Sequence, residues 1–238
     1  DLVGYSGFSA SNYLEQPYNS DLDFGTGDFS IMGWVNTSGG NGNRWLIARN
    51  ATGGNGALDV RLSATNSIVC RVSANDFSND PQVISSAIPL NTWVHFVIKR
   101  VGTVLSISID GVISSSTTVG SVNISNTIAS LYIAKRSTGD PLSNGSLALI
   151  RISATAPTAA QIAKIYEDEK VLFQAGAQAT LYGSSDAVTA LAYDDATDLL
   201  HVGTSAGRSV FQGLRRVENT TDAITAAISA SNNLVAEE

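Results

Sequence analysis

Apolar and polar side chains alternate at period two in many short runs of this chain, and the clearest stretch lies between Asn91 and Gly111. From Trp93 to Val101 large apolar and polar residues largely alternate. From Val104 to Asp110 they do so again, with Leu105, Ile107 and Ile109 on one face and Ser106, Ser108 and Asp110 on the other. Such alternation reads as a half-buried strand. Gly102-Thr103 and Asp110-Gly111 interrupt it in the way tight reversals between antiparallel strands are written. A meander of three strands ending near Ser116 follows.

The same reading extends upstream and downstream. Phe8 to Glu15 reads as a first strand. In Phe29 to Val35, Phe29, Ile31, Gly33 and Val35 share one face while Met32 and Trp34 load the other, which marks a central strand. Polar Gly/Asn/Ser loops at 36–43 and 50–56 flank Trp45 to Arg49. Leu58 to Leu62 alternates strictly, as a strand with one wet face does, and Ile68, Cys70 and Val72 repeat the pattern. Gln82 to Ala87, Leu131 to Ala134 and Gly145 to Ile152 complete the set. Short strands separated by turn signals, with no helical period before residue 157, predict an all-β protein: an antiparallel two-sheet jelly-roll sandwich. One helix follows Pro157, capped by Thr158, with Ile162, Ile165, Tyr166 and Glu169 at spacings of three and four out to Phe173. Its apolar face is expected on the sandwich edge or across the barrel end.

Residues 1–174 form the expected sandwich and 175–238 a small β-rich extension. Four short strands are predicted in the latter, at 179–183, 188–193, 199–204 and 208–211, and a thin run with Ile224 and Ile228 at i, i+4 is helix-compatible. The strand spacing resembles one β-propeller blade, which cannot bury its own faces. The extension is therefore expected to lean on the sandwich or on other copies of the chain, most simply in a homotrimer.

Composition narrows the partners. Charged residues make up 15% of the 238, and the net charge is −7 with basic residues scattered, which argues against nucleic acid and anionic membranes. No apolar run approaches the roughly 18 residues of a membrane-spanning helix. One Cys excludes an internal disulfide, and its place in an alternating run predicts a buried thiol. The chain shows no signal-peptide pattern and reads as beginning inside a longer polypeptide.

Catalytic chemistry finds little support in the residues. His95 and His201 are far apart in sequence, no zinc or phosphate-loop motif occurs, and Glu15 is the only Glu before Glu167. A glycosidase needs two carboxylates about 5 to 9 Å apart across the sugar. The pairs Asp21/Asp23 and Asp76/Asp80, and the cluster Asp194, Asp195 and Asp198, sit in expected loops. All three read either as turn residues or as oxygen ligands for Ca²⁺. Asp21 and Asp23 are the candidate calcium pair. Binding is the better-supported role: aromatic faces with Asp, Asn and Arg on loops suit sugar rings and hydroxyls. Arg44, Trp45, Arg49, Asp76, Asp80, Arg136 and Asp140 are the candidate carbohydrate-binding residues.

Two resemblances sharpen this. Tyr13-Leu14, Leu22 to Ile31 and Trp34, then Trp93-Val94-His95-Phe96 with Ile109-Asp110-Gly111, then Asn144 to Arg151 and the helix from Thr158, together resemble the laminin-G-like branch of the concanavalin A-like lectin/glucanase superfamily. The resemblance covers about residues 8 to 173 and implies a concanavalin A-like sandwich. Its members include sugar-binding, adhesion and viral receptor-binding domains, so the activity it implies is an analogy. The whole order, sandwich, helix Ala160 to Lys170, blade-like strands, resembles the carboxy-terminal part of tail proteins from tailed bacteriophages. That likeness implies a non-enzymatic receptor-binding module on a virion tail, recognising a cell-surface polysaccharide. The alternatives are a structural oligomerisation or decoration domain without a ligand, and a secreted bacterial carbohydrate-binding module.

Overall fold

The structure is a computed structural model describing residues 4–50, 56–75, 80–137, 141–173, 188–204, 207–213 and 215–221. The chain divides into two compact units, Asp1–Phe173 and Gln174–Glu238. In chain order the first unit runs β1 (Leu14–Gln16), a 3-10 turn (Ser20–Leu22), β2 (Phe29–Thr37), β3 (Arg44–Arg49), β4 (Ala57–Leu62) and β5 (Ser67–Ser73). It continues with β6 (Gln82–Ala87), β7 (Val94–Val101), β8 (Val104–Ile109), β9 (Val112–Thr118), β10 (Leu131–Ile133) and β11 (Gly145–Ser153). Helix α1 (Ala159–Glu169) and a 3-10 turn (Lys170–Phe173) close it.

These strands make two antiparallel sheets, one of six strands in the order β1-β10-β3-β4-β5-β6 and one of five in the order β11-β2-β7-β8-β9. The expected two-sheet sandwich is therefore present, with β7, β8 and β9 as its meander and β2 central. The first strand is shorter than the Phe8 to Glu15 expected: β1 includes only Leu14 and Glu15 of that run and ends at Gln16, and upstream Tyr5 makes an isolated bridge to Leu147. Period two explains the core. Leu58, Val60 and Leu62 of β4 and Ile68, Cys70 and Val72 of β5 meet Ile31, Val35, Phe96, Ile98, Leu105 and Ile107 of the other sheet in one apolar cluster. Cys70 is wholly buried there, and burial pushes its thiol well above the ordinary range, as expected of an inert core cysteine.

Three arginines hold the ends of this core. Arg44 bonds to Thr37 Oγ1, the Ser63 carbonyl and Asn66 Oδ1. Arg49 bonds to Asp23 and to the Ile124 and Asn126 carbonyls, and Arg100 donates to the Gly102, Gly120 and Val122 carbonyls. A guanidinium has five donors in a fixed fork, so each side chain gathers loops that have no ladder of their own.

Helix α1 does not lie on an edge or across the barrel end. It covers the outer face of the five-stranded sheet, where Ile162 packs on Met32 and Val97. The second apolar face of β2, read from sequence as the mark of a central strand, is also the helix's seat. Gly111 lets the helix approach: its φ is +83°, and a Cβ there would meet Tyr166 and Ala163 at 3.2 and 3.3 Å. The helix starts with a capping box, Thr158 Oγ1 accepting from Gln161 N (3.2 Å) and Gln161 Oε1 from Thr158 N (2.8 Å). Replacing Thr158 with Ala is expected to lower the unfolding free energy by about 1 kcal/mol, read from the urea midpoint.

The second unit contains a four-stranded antiparallel sheet, β12 (Val188–Asp194), β13 (Leu199–Thr204), β14 (Gly207–Gln212) and β15 (Arg215–Thr220), in sequential order. β15 was not among the expected strands. The strand expected at 179–183 and the helix-compatible run around Ile224 lie outside the described residues. Val188, Leu191 and Tyr193 line one face of the edge strand β12 and are more than half exposed.

Candidate functional site

Strand register on the six-stranded sheet decides which side chains share its outer face. Leu58, Val60 and Leu62 turn inward, so Ala57, Asp59 and Arg61 turn outward. Cross-strand pairing then lays one row across the sheet: Glu15, Tyr132, Ala48, Asp59, Arg71 and Gln82. Beside it, Trp45 is the cross-strand partner of Arg61, which pairs in turn with Val69.

The centre of this face is a charge network. Asp59 is wholly buried; Oδ1 accepts from Arg61 Nη1 at 2.7 Å and Oδ2 from Arg71 Nη2 at 2.6 Å. Arg71 Nε adds a longer bond of 3.4 Å, and Arg61 Nε donates to Asn43 Oδ1 at 3.2 Å. Burial pulls the Arg61 guanidinium below its usual range, while Asp59 acts in the opposite direction. The strict alternation of β4, read as a wet face, is a buried ion network instead.

Aromatic groups flank it. The Arg136 guanidinium lies over the Trp45 ring at 5.5 Å, and Trp45 is 6% exposed with its indole Nε1 buried and without a hydrogen-bond partner among the described residues. Toward the β1 edge, Tyr13 and Tyr132 tilt together at 5.9 Å, and Lys135 Nζ sits 3.9 Å over the Tyr13 ring. Half-buried tyrosine rings and a row of polar groups on a rigid sheet are what a sugar ring needs: an apolar surface with fixed hydrogen-bonding groups at its rim.

Of the residues singled out from sequence, the structure brings Trp45 and Arg136 together on this face and turns Arg44 and Arg49 away from it. Arg44 and Arg49 stand at the two ends of β3, about 17 Å apart by strand rise, and both point into the core side as the loop holders described above. Asp80 precedes β6, and its Oδ2 is buried with no hydrogen-bond partner. Asp76 and Asp140 lie outside the described residues. Asp23 accepts from Arg49 Nη2 at 2.6 Å, Asn126 N at 2.8 Å and Tyr18 OH at 3.0 Å, and these bonds hold its carboxyl below the usual range although burial acts against them. A cation at Asp21 and Asp23 would have to displace that guanidinium. Among the described residues no group of three or more His, Cys, Asp or Glu is arranged to hold a metal ion. Asp59, Arg61, Arg71 and Tyr132 were missed from sequence.

The opposite outer face is closed. Trp34 Nε1 donates to Glu169 Oε2 at 2.8 Å, Arg151 pairs with Glu169 at 2.7 Å, and Phe173 stacks on Trp34 at 4.1 Å. His95 is wholly buried between Trp34 and Tyr166, both ring nitrogens lack a hydrogen-bond partner among the described residues, and desolvation lowers its pKa to about 4. Trp34 and Trp45 thus lie on outer faces and not between the sheets.

Two facing antiparallel sheets in this order, with a polar and aromatic outer face on one, define a lectin-type sandwich of the concanavalin A-like class. The sequence matches the Laminin_G_3 family of the concanavalin A-like lectin/glucanases superfamily over residues 8–163, and the chain belongs to that family. Among solved structures it resembles the botulinum neurotoxin serotype C1 binding domain, at TM-score 0.56 and 12% identity over 89% of this chain and 54% of that one. It is also similar to a botulinum neurotoxin type C structure whose cell entry depends on interaction with two ganglioside molecules (TM-score 0.54, 14% identity, 86% and 51% coverage). A third likeness is the native heptameric SAP-like pentraxin from Limulus polyphemus (TM-score 0.51, 10% identity, 68% and 80% coverage). At these identities the likeness is one of fold, and this chain spans about half the length of the neurotoxin chains. No curated protein sequence matches the chain. No described helix is long and apolar enough to cross a membrane.

Proposed function

We propose that the first unit is a glycan-recognition module that binds a cell-surface polysaccharide without cleaving it, on the outer face of the six-stranded sheet. The observation that carries this is the half-buried pair of tyrosines on that face, Tyr13 and Tyr132, with Lys135 over the Tyr13 ring and the partly exposed Arg71 further along the Tyr132 row. The fold family and the ganglioside interaction of one structural neighbour support the same reading. Hydrolysis would need a carboxylate able to exchange a proton or attack carbon. Asp59 has both oxygens engaged by guanidiniums and no exposed surface, so it orients the arginines and does no acid–base work. The arrangement does not route binding through a cation, so binding is expected to persist in EDTA.

In this proposal the module serves a tailed-phage fibre or spike, displayed on the virion tail, and the second unit joins copies into a homotrimer. The exposed stripe Val188, Leu191 and Tyr193 supports the assembly, since contiguous exposed apolar side chains on an edge strand favour pairing with another chain. Light scattering is expected to report an oligomer for the full chain and a monomer for the Leu191→Lys, Tyr193→Lys double variant. A monomeric parent chain would remove the assembly from the proposal. For the glycan site, the full chain is expected to bind a restricted set on a glycan array, with Tyr132→Ala weakening that binding about tenfold, equivalent to ~1.4 kcal/mol, at unchanged fold.

A further inference from the structure

The outer face of the five-stranded sheet, opposite the proposed glycan face, holds a buried titratable group that binding does not use. His95 is wholly buried there, its ring 5.2 Å from that of Trp34 on β2 and 6.1 Å from that of Tyr166 on α1. Neither ring nitrogen has a hydrogen-bond partner among the described residues. The carboxylates that face it are already engaged. Glu169 of α1 pairs with Arg151 of β11 and accepts from Trp34 Nε1, and Asp110 Oδ1, in the β8–β9 turn, accepts from the backbone N of His95. The other charges of α1 and the turn after it are paired among themselves, Lys164 with Asp168 and Lys170 with Glu167. A proton on His95 therefore creates an imidazolium with no free acceptor, and a buried charge without a partner is strongly unfavourable.

The helix that seals this site is lightly attached. Ile162 is its one buried residue, and it packs on Met32 and Val97 in a small cluster separate from the core between the sheets. Just before the helix the chain is tied down: Ser30 Oγ donates to the Thr155 carbonyl at 2.7 Å and Lys99 Nζ to the Pro157 carbonyl at 2.8 Å. After it, Phe173 lies against Trp34 at 4.1 Å and Trp93 at 5.0 Å. Lifting the segment from this fixed point breaks no strand ladder, which is what a locally opening unit requires. We propose that α1 and the 3-10 turn after it form an acid-released flap: protonation of His95 lifts residues 159–173 off the five-stranded sheet and uncovers Met32, Trp34 and Val97 while both sheets stay folded. Burial gives the closed imidazole a pKa of about 4 against 6.5 when exposed, so the open form takes up the proton first, and its population is expected to rise about twentyfold between pH 7 and 5. Arg151 acts in the same direction, and Glu169 and the buried Asp110 act against it.

Hydrogen exchange of the full chain, corrected for the intrinsic pH dependence of amide exchange, reads the opening. Amides of α1 are expected to be at least tenfold less protected than those of β8 at every pH, and to lose about twentyfold of their protection between pH 7 and 5. Low urea is expected to speed exchange in β8 and leave that in α1 nearly unchanged, because lifting the flap exposes far less surface than unfolding does. His95→Phe keeps a ring against Trp34 and Tyr166 and is expected to make α1 protection flat over the same pH range. Equal protection and equal urea dependence in α1 and β8 would make the acid response a global unfolding and overturn the proposal. So would α1 protection in the parent chain that does not change with pH, or that falls as steeply in His95→Phe.

Discussion

Replacing Asp59 with Ala is expected to cost about 3 to 5 kcal/mol of the unfolding free energy of the sandwich. The carboxylate is wholly buried and holds two guanidiniums at 2.7 and 2.6 Å. Removing it takes from the buried Arg61 and from Arg71 the carboxylate to which both donate, and the buried Arg61 then bears most of the desolvation cost. Arg71 is 21% exposed at its side chain and can take some water, which places the cost toward the lower end. The origin of the loss can be separated from simple cavity formation. A triple variant with Leu at 59, 61 and 71 removes the charges together and is expected to recover most of the stability, because a buried ion network is seldom better than an apolar one. The same triple variant is expected to lose glycan binding. Urea unfolding of the three proteins, followed by circular dichroism, reads all of this. A cost below about 1 kcal/mol for Asp59→Ala, the range of surface ion pairs, would mean that the network is solvated.

Lowering the pH from 7 to 5 is expected to remove about 2 kcal/mol of stability, and almost all of it through His95. Burial holds the folded imidazole neutral with a pKa of about 4, against 6.5 when unfolded. As pH falls through 6.5 the unfolded chain takes up a proton that the folded chain refuses, so stability declines across the window from 6.5 to about 4. The full difference corresponds to roughly 3 kcal/mol. Glu169 raises the pKa and Arg151 lowers it, both less than desolvation does. Asp23 shifts in the downward direction, so its contribution is lost only at more acid pH, below the usual carboxylate range. Asp110 is raised by burial, so it acts with the opposite sign and in a different window, just above the usual carboxylate range, where the folded chain takes up the proton first. His95→Phe keeps an aromatic ring against Trp34 and Tyr166 and should make stability nearly flat between pH 7 and 5. If the two proteins lose stability equally over that range, the histidine is not buried neutral as described.

How much of this was legible beforehand follows from what each signal encodes. Period-two alternation fixed β4, β5, β7 and β8 and their inward faces, because it is a property of neighbouring residues. Asp110-Gly111 announced its turn, since Asp110 and Gly111 both take positive φ (48° and 83°). The seat of α1 was present in the sequence as bulk on both faces of β2, but the same bulk also describes any central strand, and only packing separates the two. Arg44 and Arg49 looked like ligand groups because polar loops flank them. Their parity on β3 turns them inward, opposite Leu62 and Leu58, where they bond to loop oxygens. The bulge between Trp45 and Ile47 lets both Leu46 and Ile47 reach the core while Trp45 and Ala48 face out, a shift that no run of residue types announces. Arg71 joins Asp59 through β4–β5 register, twelve residues along the chain, so the network could not be read from β4 alone.

Binding of the full chain to a glycan array, compared with that of Tyr132→Ala, tests the central claim most directly. Tyr132 is half-buried on the outer face, and its ring contact is with Tyr13 on the same surface and not with the apolar cluster between the sheets, so its truncation should leave the fold intact. The expected result is selective binding by the parent chain, retained in EDTA, and about tenfold weaker binding by the variant at an unchanged unfolding midpoint. Selective binding that Tyr132→Ala leaves untouched would place the ligand elsewhere on the sandwich, and an array with no binding at all would contradict the claim that the sandwich recognises glycans.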